Sequence, residues 1–133
     1  MAEITWRETR DAPKALLEVL NEYITTEFAG LLDPVANMTR LVRGDGGVAA
    51  HWLIHGTHGT PESAAQPSGA SGPEFLGWQP TGKIVDIHVA SFSEDRGPVA
   101  AGMKLVHEWD RLHGLFQIGV HAVGRPVVGS RPQ

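Results

Sequence analysis

The 133-residue chain contains no cysteine, which removes disulfides, thiolate metal ligands and cysteine nucleophiles together. The same absence fits a reducing compartment, and a cytoplasmic location is expected. A basic run is equally missing. The eleven Lys and Arg are scattered through a chain of formal charge -4 and pI near 5.9, so a phosphate-tracking surface for nucleic acid is not expected. No stretch approaches the ~20 apolar residues that span a bilayer, and the opening MAEITWRETRDAPK has no apolar core, so no membrane association is expected. A Gly-x-Ser-x-Gly nucleophile elbow and a phosphate-cradling glycine loop are also lacking, which leaves hydrolase and nucleotide readings unsupported.

What is present is the composition of one domain, 1–133, with 41% hydrophobic and 20% charged residues. A chain of this size buries enough surface to fold without metal or disulfide. Seven His and four Trp exceed what a bland domain needs and mark where chemistry is to be sought.

Residues 12–29 read as one long helix, because Leu17, Leu20, Ile24 and Phe28 recur at three- and four-residue spacing while Leu16 and Tyr23 widen the stripe. Asp11 is the expected N-cap, Pro13 falls in the first turn, and Gly30 is the expected stop. Strands follow at 35–43 and 48–57, joined by Gly44-Asp45-Gly46-Gly47 as a hairpin, then at 83–92 and 99–109. A short helix is expected from Asp110 to about Gln117. The Gly/Pro/Ser/Ala-rich stretch 59–73 has no apolar periodicity and reads as a flexible surface loop, and 124–133 as a loose tail.

This order predicts an α+β fold, a curved antiparallel sheet with helices gathered on one face. Strand alternation then sorts residues by face. His51, Leu53 and His55 oppose Trp52, Ile54 and His58; Asp86, His88 and Phe92 oppose Val85, Ile87 and Val89; Met103, Leu105, His107 and Trp109 stand together. The spacing of His51, His55 and His58 suits a helix, not a strand, so they are not read as a metal triad and no metal is expected.

Three stretches carry a resemblance: Gly56-Thr57-His58, the run from Glu74 through Pro80-Thr81-Gly82-Lys83, and Phe116-Gln117-Ile118-Gly119. Together, over residues 12–121, they resemble the SnoaL-like polyketide cyclase family of the nuclear-transport-factor-2-like superfamily, with Arg43 to Val48 resembling the family's hairpin turn. The resemblance implies a cone-shaped sheet with a long helix on its concave face around an apolar pocket, here N-terminally shortened. It also implies a homodimer through the outer face of the sheet and cofactor-free acid/base chemistry, typically ring closure of a polyketide by intramolecular aldol condensation. The family's catalytic Asp falls on Asp110 when counted back from Gln117 and on His107 when counted forward from Gly97. The helix spacing favours Asp110.

On this reading Asp110 is the base, desolvated beneath Trp and Leu side chains, with His107 as its partner or the proton donor. His51, His55 and His88 would polarise carbonyls of a hydrophobic, polycyclic or polyketide-like ligand on the same wall. Trp52, Trp78 and Trp109 would stack on it, and Met103 and Leu105 would line the cavity. The same pocket also suits a hydroxylation, an isomerisation, a pericyclic closure or an epoxide opening. A non-catalytic binding or assembly module is the reading from a different class.

Overall fold

The computed structural model describes residues 4–44, 46–59, 78, 80–94, 99–100 and 102–119. Among the described residues the fold is α+β: an open five-stranded mixed sheet in the order β1-β2-β3-β4-β5, with two helices. The strands are β1 (Thr5–Glu8), β2 (Leu31–Gly44), β3 (Gly47–His58), β4 (Ile84–Ser93) and β5 (Leu105–Glu108); the helices are α1 (Lys14–Glu27) and α2 (Arg111–Gln117).

The chain begins with a strand that its sequence does not announce. TWRE is short and mostly polar, yet β1 pairs in parallel with β2, and α1 is the crossover that a parallel pair requires. The start of α1 also departs from expectation. Arg10 and Asp11 both adopt positive φ, at 52° and 58°, so Asp11 lies in the turn and Pro13 occupies the cap position without a side-chain cap. At the far end Phe28 closes the helix, its N–H donating to the Ile24 carbonyl at 2.9 Å, and Gly30 is not the stop.

Leu16, Leu20, Ile24 and Phe28 form the buried stripe of α1, each at most 1% exposed. They pack in one cluster with Ala36 and Met38 of β2, Trp52 and Ile54 of β3, and Val85, Ile87 and Val89 of β4. Those strand residues alternate with exposed or half-buried ones, so the sheet has an inner face toward α1 and an outer face, as the period-two pattern requires. Trp52, wholly buried, meets the rings of Trp6, Tyr23 and Phe28; truncating such a residue to Ala costs about 3–5 kcal/mol.

Strand β2 slips register twice against β3, once at Asp33-Pro34 and once at Thr39. Bulges bend and twist a strand, and Pro34 sits where a missing ladder N–H is tolerated. The last strand is shorter than the expected 99–109. Gly102 at φ 80° and a Met103 N–H to Ala100 carbonyl bond of 3.2 Å turn the chain before β5 begins. Of the expected loop over 59–73 only Gly59 is described, and the tail over 124–133 lies outside the described residues.

Candidate functional site

The β5 end of the inner face carries a buried polar network. Ser91, 2% exposed on β4, lies opposite His107 of β5. Its Oγ is 2.8 Å from Trp52 Nε1 and 2.7 Å from His107 Nδ1. Trp52 only donates, so it takes a lone pair of Ser91 and leaves the hydroxyl proton to be donated. The arrangement that satisfies every group has Ser91 donating to His107 Nδ1, with the imidazole proton on Nε2.

Tyr23 of α1 stacks on the His107 ring, with centroids 3.7 Å apart and planes 13° from parallel. Its hydroxyl accepts from Trp109 Nε1 at 3.1 Å. Burial lowers the His107 pKa from its ordinary 6.5, against a smaller upward pull from Glu27, so the ring is neutral near pH 7. Burial likewise raises the Tyr23 pKa, which keeps its phenol protonated. The result is a neutral imidazole held on one nitrogen by Ser91 and clamped on one flat side by Tyr23. Its Nε2 has no hydrogen-bond partner among the described residues.

Beside this network lies the start of α2. Asp110 is exposed and caps the helix, accepting from the His113 N–H at 3.0 Å. Arg111 pairs with Glu27 at 2.7 Å and lies over the Trp109 ring at 5.0 Å. The desolvation expected for Asp110 is therefore not found, because a capping residue at this helix start faces solvent.

Of the residues singled out in the sequence, the fold gathers His107, Trp52 and Trp109 on the inner face, with Met103 and Leu105 half-buried against the same core. Met103 also lines a cleft of about 290 Å3 together with Glu18, Val19, Glu22 and Gly102. His51, His55 and His88 lie elsewhere. Because Trp52 and Ile54 point inward, strand alternation sends these three to the outer face. There His51 Nδ1 is 2.6 Å from Thr39 Oγ1, the His51 and His88 rings stack at 5.3 Å, and His55 pairs with Asp86 at 2.6 Å. Trp78 is 48% exposed. Tyr23 and Ser91 were missed as site residues, although Tyr23 is the chain's single tyrosine and Ser91 falls at an inward position of an otherwise apolar alternation.

His58 is a different kind of histidine. It is buried, and both ring nitrogens are engaged, Nδ1 with Thr81 Oγ1 at 2.9 Å and Nε2 with the Trp78 carbonyl at 3.0 Å. Its backbone N–H donates to the Lys83 carbonyl, and its own carbonyl accepts from Thr81 and Gly82. The Gly-Thr-His and Pro-Thr-Gly-Lys stretches thus lock to one another. Gln117, from the third stretch, clamps the backbone of Asp86 with two bonds of 2.6 Å. Among the described residues, no three His, Asp or Glu side chains converge to hold a metal, and no helix is long and apolar enough to cross a membrane.

The chain shares its fold with two solved structures, one of them SnoaL-like. A protein assigned as a SnoaL-like polyketide cyclase, from Jannaschia sp. CCS1, superposes with a TM-score of 0.54 at 14% identity, over 89% of this chain and 70% of that one. AclR from Streptomyces galilaeus, assigned as a hydroxylase, superposes at 0.50 and 15% identity, over 87% and 73%. At such identities the likeness establishes the fold and leaves the reaction open. No protein-family model matches the sequence, and no curated protein matches it either.

Proposed function

We propose that this protein is a cofactor-independent enzyme that closes a ring in a polyketide-like, carbonyl-rich molecule by acid/base chemistry at the β5 end of its inner face. The observation that carries this reading is His107: a neutral imidazole, fixed on Nδ1 by Ser91, stacked on Tyr23 and with no partner for Nε2 among the described residues. In an aldol closure a C–H flanked by carbonyls loses its proton, the resulting enolate carbon bonds to a second carbonyl carbon, and the new alkoxide takes up a proton. His107 Nε2–H gives that last proton, and the ring is reprotonated by the acid formed at Asp110. Asp110, three residues on, receives the first, and Trp109, Met103 and Leu105 supply apolar surface for the folded chain.

The resemblance of the three sequence stretches and the fold shared with the Jannaschia protein support this assignment. Hydroxylation, isomerisation, pericyclic closure and epoxide opening on the same surface are the neighbouring chemistries. The proposal includes pairing of two copies, for which the outer row Val42, Ala49 and Phe92 offers exposed apolar surface. It also includes action in the cytoplasm.

One observation favours a second reading, a binding or assembly module without turnover. Phe28, Tyr23, Trp52 and Trp109 fill the inner face with ring contacts between 5.0 and 6.3 Å, where a ligand would otherwise sit. Incubation with a linear polyketide, with products read by mass spectrometry, separates the two. A cyclised product whose formation falls ~100-fold in both His107→Gln and Asp110→Asn is the expected result. Asn caps a helix as well as Asp does, so a rate unchanged in Asp110→Asn removes the carboxylate from the mechanism, and no product with the wild type removes the enzyme reading.

A further inference from the structure

The outer face holds a cleft of about 240 Å3 lined by Arg7, Val35, Asn37, Leu53, His55 and Asp86. It is on the opposite side of the sheet from His107, so no residue of the proposed reaction contributes to it. Register explains how it forms. Val35, His55 and Asp86 are consecutive partners across β2, β3 and β4, Asn37 and Leu53 make up the next row, and the bulge in β1 sets Arg7 beside them. At ~4.8 Å per strand, the backbones of Arg7 and Asp86 stand roughly 14 Å apart at the two ends of the cleft.

Two of its polar side chains, Arg7 and Asn37, are unspent among the described residues. Arg7 is exposed and has no hydrogen bond or ion pair among the described residues, and the same is true of the Asn37 amide. At the other end Asp86 holds His55 by Nδ1 at 2.6 Å. A contact that short between a carboxylate oxygen and a ring nitrogen places a proton on Nδ1, so Nε2 is the ring nitrogen left for a ligand. Gln117 fixes the Asp86 backbone, N–H and carbonyl alike, where β4 has run past the end of β5. The pair is therefore held in place from behind. Between the two ends, Val35 and Leu53 make an apolar floor.

We infer that this cleft is a second binding site, for a small carboxylate whose apolar middle carries a hydroxyl at the opposite end, as in a short hydroxy acid. Arg7 takes the carboxylate with its planar fork of donors, Asn37 adds an amide donor, Val35 and Leu53 cover the apolar middle, and His55 Nε2 bonds the hydroxyl. The volume falls below the roughly 300–1,000 Å3 of sites for drug-sized molecules, which restricts the ligand to one ring or a short chain. The row of Arg40, His51 and Ala90 separates the site from the apolar row Val42, Ala49 and Phe92.

The test is a titration of the full chain with 4-hydroxybenzoate, benzoate and 4-hydroxybenzyl alcohol, followed by calorimetry and by the imidazole signals in NMR. The expected order is 4-hydroxybenzoate tightest, with the His55 signals moving and those of His107 still. Arg7→Ala is expected to weaken 4-hydroxybenzoate at least tenfold, and His55→Ala to erase its advantage over benzoate. Arg7 and His55 are solvent-facing on the outer side of the sheet, and circular dichroism checks that both variants fold. Binding that is indifferent to Arg7→Ala, shifts at His107 in place of His55, or no binding at millimolar ligand overturns the inference.

Discussion

His58 and His107 sit on the same side of one sheet, and burial lowers the pKa of both, yet they are built for different ends. His58 spends both ring nitrogens on Thr81 and Trp78 and its backbone on Lys83, Thr81 and Gly82. His107 spends one nitrogen on Ser91 and keeps the other. Desolvation by itself does not mark a reactive histidine. What separates the two is the count of nitrogens left over once the fold is satisfied. A saturated imidazole is a fastener, whereas an imidazole oriented on one side and vacant on the other can move a proton.

The largest effect is expected where the fastener is broken. Gly59, next to His58, has φ +70°, and a Cβ there would lie 2.1 Å from Pro80 Cβ. Gly59→Ala is expected to cost about 2–5 kcal/mol in denaturant unfolding, from left-handed strain plus overpacking. His58→Ala, which strands the Trp78 carbonyl and the Thr81 hydroxyl, is expected to cost about 2–4 kcal/mol in the same assay. His107→Gln sharpens the contrast, since its expected penalty in unfolding is below about 1.5 kcal/mol. A stability loss in His107→Gln as large as that of His58→Ala would place the two histidines in one class.

Acid should weaken the fold through both residues. Each has a folded pKa below the ordinary 6.5, so between those values the unfolded chain binds protons that the folded chain does not. The stabilisation is complete above about pH 6.5 and is lost as pH falls through the window down to the folded pKa. Unfolding free energy measured from pH 8 to pH 5 is expected to decline below about 6.5, and less steeply when either histidine is replaced by Gln. The smallest effect is reserved for the rim: Arg111→Ala breaks an exposed pair with Glu27 and is expected to change stability by less than about 1 kcal/mol.

Much of the fold was legible from periodicity. The three- and four-residue recurrence of Leu17, Leu20, Ile24 and Phe28 predicts α1, and the period-two geometry of a strand over VAAHWLIHGT predicts both faces of β3. Strand β1 was not legible, because TWRE owes its extended form to parallel pairing with β2, and no local pattern encodes a partner thirty residues away. The cap at Asp11 failed because the chain turns through two left-handed residues before α1 starts. The site was half legible. The resemblance points to the His107–Asp110 region, whereas strand alternation puts His51, His55 and His88 on the outer face, away from it. Ser91 and Tyr23 became visible only when β4, β5 and α1 were brought together, since neither carries a motif of its own.

The most direct test of the vacant nitrogen is a nitrogen-15 NMR spectrum of the histidine side chains, recorded with and without a flat polycyclic aromatic polyketide. The account expects His107 as the Nε2–H tautomer at pH 7, with Nε2 shifting on addition of the ligand while His58 remains unmoved. A His107 already bonded at both nitrogens, or a ligand that shifts only outer-face histidines, would contradict it.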